Sequence, residues 1–316
     1  MIKTMKSRIL CEYHTTGYDG SNKVYIGEPK RDIRVCRFCG KSKPNVNFSK
    51  KAHALSESLG TKFIINNEEC DTCNELFSGI EQDFYNRHAF HLTCFDIKGK
   101  NGSRKVKTDE ISIFNHNGIL MIENGGAIIP SSTLKNNGKL DFTFLLKGYS
   151  HRPQNIYKCL VKYALSVMDS THIKYFGETI KWIKTDNLAF KTLPKVLFYQ
   201  NDCQGHPRIA YFIRKSDHAK FPFAFAAVEF AGIGYFFIIP LGNSEPITGY
   251  MEQNFKYAFK QIFDNRAFVE VDLISIKKII TKQRVEIDNF ILNKTYFKIT
   301  KEQFYGGQNA KKDTLS

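Results

Sequence analysis

Residues 36–74 read CRFCGKSKPNVNFSKKAHALSESLGTKFIINNEECDTCN, and this stretch decides what the first part of the chain folds around. It carries two CxxC pairs separated by thirty residues: Cys36, Cys39, Cys70 and Cys73. Each pair can place two thiolates on one edge of a turn, the spacing that tetrahedral zinc sites use. Gly40 permits the turn that points backbone amides at sulfur after the first pair. The four thiolates predict a closed and therefore structural zinc site.

The remaining cysteine usage favours metal binding over disulfides. The chain has eight cysteines, and its first twenty residues lack the apolar stretch and small-residue cleavage site of a secretory signal. The longest apolar run, residues 221–241, is broken by Pro222, Glu229 and Gly232, so no membrane span is expected. We therefore expect a cytoplasmic protein with reduced thiols, in which cysteine pairs bind metal.

Length and charge suggest two domains and a polyanionic partner. The 316 residues exceed the size at which one core usually stops growing, and 42% of them are hydrophobic. Residues 95–110 combine glycines with charged side chains, which predicts a linker between a domain at 1–100 and a larger one at 110–316. The net charge of +15 favours nucleic acid, because Lys and Arg displace counterions condensed on phosphates.

The larger domain is predicted to be mixed α+β with mostly antiparallel strands. Strands are expected at 111–114, 118–123 and 140–146 as an antiparallel meander, and at 195–199, 208–214, 223–230 and 235–241. The last two are joined by AGIG and predict a hairpin. Apolar stripes predict helices at 154–169 and 250–263, and Ser170 could cap another helix between them.

The segment between the cysteine pairs resembles the HNH, or ββα-metal, endonucleases that have two zinc knuckles. The matching pieces are CRFC at 36–39, AHAL at 52–55, LG at 59–60, NNEEC at 66–70 and CDTCN at 70–74. Several fixed features in order make this resemblance more specific than any single motif. The resemblance covers about residues 33–88. It implies a small zinc-stapled ββα-metal module and a hydrolase that cleaves DNA phosphodiester bonds.

The resemblance also assigns roles to individual side chains. His53 matches the general base, which suits the chemistry because the imidazole pKa lies near neutrality. Asn67 matches the residue that orients the loop, and Asn74 the third motif position, which can ligate a catalytic Mg²⁺ or Mn²⁺ through oxygen. If a helix continues from Asn74, Glu81 lies two turns along the same face, and Glu81 or Asp83 is a further candidate ligand.

Two positions depart from the family pattern. Ala52 stands where many members have an acidic or histidine ligand, and Ser56 where many have proline. Either the metal takes a ligand from Glu81 or Asp83, or it is bound weakly, or the chain is an inactive copy. Lys50 and Lys51 are candidate contacts to the phosphate backbone, although an exposed lysine pair is ordinarily just solvated.

Three functions remain open from the sequence. The first is a metal-dependent DNA endonuclease, an effector of anti-phage defence by resemblance to bacterial defence nucleases, with the larger domain as sensor, specificity element or platform for a homo-oligomer. The second is a zinc-ribbon protein that binds nucleic acid without catalysis. The third is an effector subunit that acts only when a partner protein or a nucleotide signal engages residues 110–316.

Overall fold

The computed structural model describes most of the chain. The described residues are 13–99, 102–107, 111–116, 119–124, 132–134, 140–185, 192–203, 205–215, 220–242 and 248–290. Two compact units are present, and each is built from two separate segments. Unit 1 is Met1–Gln82 with Pro153–Ile276, and unit 2 is Asp83–Arg152 with Lys277–Ser316.

Both helices and antiparallel strands are present, which confirms the α+β class. The strands are β1 (Tyr13–Asp19), β2 (Val24–Ile26), β3 (Ile64–Asn66), β4 (Lys105–Lys107), β5 (Ile111–His116), β6 (Ile119–Asn124), β7 (Ser132–Leu134), β8 (Leu140–His151), β9 (Val196–Gln200), β10 (Arg208–Arg214), β11 (Ala224–Phe230), β12 (Ile233–Ile238), β13 (Val269–Val271) and β14 (Ile279–Phe290). The α-helices are α1 (Asp71–Cys94), α2 (Pro153–Val167), α3 (Ser170–Ile173), α4 (Gly177–Ile183) and α5 (Gly249–Ile262). Short 3₁₀ turns lie at Arg31–Ile33, Glu57–Leu59 and Lys174–Phe176.

A six-stranded antiparallel sheet forms the frame of unit 1, in the order β1-β10-β11-β12-β9-β13. The predicted hairpin between β11 and β12 is confirmed, since Phe230 pairs with Ile233 across a two-residue turn. Ala231 and Gly232 in that turn have φ of 46° and 77°. Two successive left-handed residues match the right-handed twist of the strands, which is why tight hairpins use them.

One face of the sheet packs against helix α5. The stripe predicted for this helix is buried, and Phe236 of β12 stacks on its Phe255 with ring centroids 4.7 Å apart. Thr248 caps the helix by accepting a hydrogen bond from the amide of Met251. Aromatic side chains therefore fill the space between sheet and helix, and their burial supplies much of the stability of unit 1.

Helix α2 is buried along its whole length: every residue from Pro153 to Val167 is shielded from solvent. The predicted helix at 154–169 is therefore present, but its polar face is covered as well as its apolar stripe. The next predicted helix is broken into α3, a 3₁₀ turn and α4. Its cap is Asp169, whose carboxylate accepts from the amide of Thr171, and not Ser170.

The predicted division into domains at 1–100 and 110–316 differs from the two units. Strand β1 lies in the predicted first domain, yet it is the edge strand of the six-stranded sheet, where Tyr13 pairs with Arg214. Helix α1 runs through the boundary between Gln82 and Asp83. The predicted linker at 95–110 falls inside unit 2 and contains β4. Pairing between strands distant in sequence decides the division, and local composition does not report such pairing.

Unit 2 contains two three-stranded antiparallel sheets, β4-β5-β6 and β14-β8-β7. The predicted meander is correct for β5 and β6, which pair with each other, but β8 pairs with β14 and β7 instead. Strands β8 and β14 each have twelve residues, so a partner that is distant in sequence offers β8 a longer ladder. Among the described helices, none is long and apolar enough to cross a membrane.

Arg37 lies between Cys36 and Cys39 and joins the first CxxC turn to the carboxyl end of α2. Its Nη1 donates to the carbonyls of Leu165, Ser166 and Met168 at 2.9, 3.1 and 2.9 Å. Its Nη2 donates to Glu68 Oε2 at 2.8 Å. The last carbonyls of a helix have no partner within the helix, and a cation there also complements the helix dipole. The first CxxC turn is thus joined to the end of a helix, through contacts that span 128 to 131 residues of sequence.

We predict that Arg37→Ala lowers the free energy of unfolding by about 3 kcal/mol, because it leaves buried carbonyls without a donor and Glu68 Oε2 without its cation. Urea unfolding followed by circular dichroism measures the change. Arg31→Ala, which removes an exposed guanidinium from the neighbouring 3₁₀ turn, is the control and should stay close to wild type. Equal loss in both variants would contradict this role.

Candidate active site and zinc site

The two CxxC turns bring four thiols together as the spacing predicts. The sulfur atoms of Cys36, Cys39, Cys70 and Cys73 all lie within 4.8 Å of one another. Gly40 has φ of 69°, and its amide donates to the carbonyl of Cys36 at 2.7 Å, which closes the first turn. The left-handed conformation predicted for this glycine is therefore present.

The geometry of the thiols fits a zinc ion. Bonds of about 2.3 Å in a tetrahedron place sulfur atoms roughly 3.8 Å apart, and Cys39 Sγ lies 3.8 Å from Cys70 Sγ. The amide of Cys70 points at Cys36 Sγ at 3.4 Å. A hydrogen bond from the Cys73 thiol, helped by nearby amides, lowers the pKa of Cys36 to about 5. These four cysteines would hold structural zinc, with no position left for a substrate.

His53 lies between the two turns, in an irregular two-stranded arrangement. It forms a β-bridge with Ile65, and the amides of Ala54 and Asn66 donate to Ile64 and Ala52 on either side at 2.9 Å. Strand β3 in turn pairs in parallel with β2. The backbone around His53 is therefore held on both sides by strand β3, which limits how far its imidazole can move.

Helix α1 follows the second CxxC turn directly. Its first residue, Asp71, accepts from the amides of Ser49 and Lys50 at 3.0 and 2.9 Å and so joins the loop before His53 to the start of the helix. The helix continues through Gly79, so Asn74 and Glu81 lie on one face, as expected. Seven residues correspond to a rise of about 10 Å. One ion could join both side chains only if they lean towards each other along the axis.

The imidazole of His53 has a carboxylate partner that the sequence did not indicate. Its Nε2 lies 2.9 Å from Glu57 Oε1, and 15% of the His53 side chain is exposed. Its Nδ1 is buried and has no hydrogen-bond partner within the described part of the chain. Burial lowers the pKa of His53. The positive charges of Lys162 and Lys51 lower it as well, whereas the negative charges of Glu57 and Glu81 raise it. A lowered pKa keeps the imidazole neutral at pH 7, the state in which it can accept a proton.

Lys162, from helix α2, reaches into the same site. Its Nζ donates to Glu81 Oε1 at 2.9 Å and to the carbonyl of His53 at 3.1 Å, and it lies 3.4 Å from Glu69 Oε2. The Lys162 and Glu69 side chains are fully buried. Burial disfavours the ammonium, but the two carboxylates outweigh it and raise the pKa of Lys162. The side chain is therefore a charged link between α2, the His53 loop and helix α1.

Glu69 is the other buried carboxyl group at this link. Burial, opposed by Lys162, raises the pKa of Glu69 to about 7. Asn66 Nδ2 donates to Glu69 Oε2 at 3.3 Å, while Glu69 Oε1 is buried without a partner among the described residues. A carboxyl group in this environment binds a proton readily at neutral pH, so the single ammonium of Lys162 is sufficient to balance the pair Glu69 and Glu81.

The structure gives the two adjacent asparagines different contacts. Asn66 Oδ1 accepts from the amide of Glu68 at 3.0 Å, so its side chain holds the turn that leads to the second CxxC pair. Asn67 is buried and contributes its main-chain amide, which donates to the carbonyl of Ile26 at 2.9 Å. The role of Asn67 in orienting the His53 loop stays a prediction, and the side chain that hydrogen-bonds the main chain of this turn is that of Asn66.

The other predicted residues lie in different surroundings. Asp83 is two positions beyond Glu81, hence on the opposite side of α1, and its charge acts on His151 in unit 2. Lys50 is exposed and lies 3.9 Å from Glu75 Oε2, and Lys51 is exposed as well. Glu81 is thus the one acidic candidate ligand that the described contacts place beside His53.

Residues that the sequence did not single out complete the site: Glu57, Asn66, Glu69 and Lys162. Glu57 carried a weak signal, because it follows His53 by four residues, but a loop has no fixed side-chain period. Lys162 lies off the apolar stripe of its helix, where a lysine is normally solvated. Only the folded chain brings it to His53.

One comparison with known proteins found a match, and it lies in the segment that contains the four cysteines and His53. Residues 36–88 of the 316-residue chain match the model of the HNH endonuclease family. The matched segment starts at the first cysteine of the four and ends within helix α1. Neither the curated proteins nor the solved structures contain a match to this chain. The family match therefore covers the four cysteines, the His53 loop and most of helix α1, and it ends at residue 88.

We predict that Lys162→Met lowers the free energy of unfolding by about 3 kcal/mol, since it removes the cation beside the buried Glu69 and the partly exposed Glu81 and the donor to the His53 carbonyl. Lys181→Met is the control, because Lys181 pairs with Glu178 on the surface, where an ion pair contributes little. Chemical denaturation of both variants measures the difference. A Lys162→Met protein as stable as the Lys181→Met protein would rule out the proposed link.

We predict one tightly held zinc per chain. Cys70→Ser should lose the metal and unfold at a lower temperature, because a closed thiolate site contributes its binding free energy to folding. Cys203→Ser, which changes a buried cysteine outside the cluster, should keep zinc. Atomic absorption after dialysis, together with thermal melts, tests this. Metal-free wild-type protein that melts like Cys70→Ser would contradict the assignment.

Proposed function

We propose that the HNH endonuclease domain at residues 36–88 hydrolyses phosphodiester bonds in DNA, with His53 as the general base. The observation that carries this proposal is a largely buried imidazole with a lowered pKa, held by strand β3 between the two cysteine pairs. Such an imidazole is neutral at physiological pH and ready to accept the proton of an attacking water. The family match to the same segment supports the reaction class.

The neighbouring residues take supporting roles in this proposal. Asn66 and Asn67 orient the loop, the first through its side chain and the second through its main chain. Asn74 and the second carboxylate oxygen of Glu81 are the candidate ligands for Mg²⁺ or Mn²⁺, because both offer hard oxygen donors. The divalent ion, when bound, neutralises charge that develops on the leaving oxygen. Ala52 offers no ligand, so this chain depends on α1 for one.

DNA as the substrate is supported by charge and by the exposed lysines beside the site. The chain carries a net charge of +15, which favours a polyanion through counterion release. Lys50 and Lys51 are exposed immediately before His53. We propose that they contact the phosphate backbone, which positions the duplex without reading its sequence.

We further propose an effector role in anti-phage defence, in which the residues outside 36–88 sense a partner protein or a nucleotide signal or mediate self-association. The support is that most of the chain lies outside the family match and forms structure of its own.

A specific observation favours a second function, nucleic-acid binding without catalysis. Ala52 removes one ligand, and Lys162 already neutralises part of Glu81.

Plasmid cleavage separates these functions. Wild-type protein should nick supercoiled plasmid with Mg²⁺ or Mn²⁺ and not with EDTA, whereas His53→Ala should cleave roughly 100-fold or more slowly, the usual size of a general base's contribution. His14→Ala, which removes an exposed histidine of β1, is the matched control. Gel shifts with the same DNA should be unchanged in all three proteins.

The outcomes distinguish the candidates clearly. Cleavage by His53→Ala at the wild-type rate would remove His53 as the base. Binding of DNA by all three proteins with cleavage by none, in either metal and with zinc content verified, would favour the non-catalytic function.

A further inference from the structure

A short turn directly after His53 presents a carboxylate to its ring. The 3₁₀ turn Glu57–Leu59 begins after Ser56, whose hydroxyl accepts from the amide of Ser58 at 3.3 Å. It ends at Gly60, which has φ of 89° and donates its amide to the carbonyl of Glu57 at 3.0 Å. The turn is therefore capped at both ends, and the position of Glu57 is set by local hydrogen bonds.

Glu57 uses its two oxygens differently. Oε1 lies 2.9 Å from His53 Nε2, within hydrogen-bond distance, while Oε2 lies 3.7 Å from Lys62 Nζ. The Glu57 side chain is 36% exposed, and the oxygens of a carboxylate can only accept hydrogen bonds. His53 Nε2 must then carry the proton that lies between them.

The remaining ring nitrogen follows from this assignment. A neutral imidazole has one N–H, so a protonated Nε2 leaves a lone pair on Nδ1. Nδ1 is buried and is without a hydrogen-bond partner in the described part of the chain. Buried polar atoms in proteins nearly always bind another group or an ordered water. An ordered water is the kind of partner that such a nitrogen lone pair can bind.

We propose that Glu57 is a positioning residue that holds His53 as the Nε2–H tautomer and leaves Nδ1 to take the proton of the attacking water. The catalytic half of this inference rests on the proposed nuclease function, whereas the tautomer does not. In the reaction, the water oxygen bonds to phosphorus and one water proton moves to Nδ1. The bond from phosphorus to the leaving oxygen breaks with its electron pair on that oxygen, which takes up a proton from solvent. Glu57 then stabilises the resulting imidazolium.

Four charged groups act on the imidazole, and they set the sign of the expected pH effect. Glu57 on the adjacent turn and Glu81 on α1 favour the protonated ring. Lys162 on α2 and Lys51 on the preceding loop disfavour it. Replacing Glu57 by glutamine removes one of the two favourable charges, so the His53 pKa should fall further below its usual value.

The tautomer is tested first by ¹⁵N NMR of full-length protein labelled at histidine, because protonated and unprotonated ring nitrogens resonate at different frequencies. The His53 signals are identified by their loss in His53→Gln. Wild type should show a protonated Nε2 and an unprotonated Nδ1. Glu57→Gln should titrate at lower pH, and Glu57→Ala should show a population with protonated Nδ1. Glu178→Gln, an exposed carboxylate on α4, is the control and should match wild type.

Cleavage kinetics then test the catalytic half. Glu57→Gln should lower kcat roughly 10- to 100-fold with KM unchanged, the usual cost of losing a group that orients a catalytic ring. The acid limb of its pH profile should move to lower pH, in step with the NMR titration. A purely structural role would lower the melting temperature without moving that limb.

Three results would decide the matter differently. Wild-type His53 protonated at Nδ1, or a Glu57→Gln titration identical to wild type, would overturn the inference. Wild-type kcat and pH profile in Glu57→Gln would also overturn it. If the NMR results are as expected but wild-type protein cleaves no DNA, the pairing of Glu57 with His53 stands and the proposed nuclease function fails.

Discussion

The ammonium group of Lys162 is the contact on which the arrangement of the site depends. It binds the main chain at His53, the carboxylate of Glu81 on α1 and, at a longer distance, Glu69 beside the second cysteine pair. The Lys162 and Glu69 side chains are fully buried, so without the lysine the Glu69 carboxyl group would lose the cation that compensates its burial. Helix α2 thus supports the matched residues 36–88, called the HNH segment below, even though the helix itself lies outside the family match.

Through Arg37, the first CxxC turn also depends on helix α2 for its position. It binds the carbonyls at the end of α2, while Lys162 acts in the middle of that helix. Two cations therefore join α2 to residues 36–88: Lys162 is contributed by α2 and Arg37 by the matched segment. This pattern explains why a helix with a polar face is buried throughout: that face supplies or receives ionic contacts and does not meet solvent.

The sequence predicted those features that depend on neighbouring residues. The CxxC spacing predicted the thiol cluster, and the residue pattern between the pairs predicted the family. The AGIG turn predicted a hairpin because turn chemistry is local. The pairing of β1 with β10 and of β8 with β14, the burial of Lys162 and the resulting division into units were not predictable in this way. These features depend on which distant segment offers the better partner, and one sequence alone carries no record of that choice.

Strand β1 and Lys162 also bear on when the segment can take its final form during synthesis. The HNH segment is translated after β1 and before β10. Strand β1 can pair with β10 only when that later strand has been synthesised. Lys162 follows the last matched residue by more than seventy positions. A nascent chain that contains the four cysteines and His53 therefore still lacks Lys162. The contacts that Lys162 makes with His53 and Glu81 can therefore form only after about half of the polypeptide has been translated.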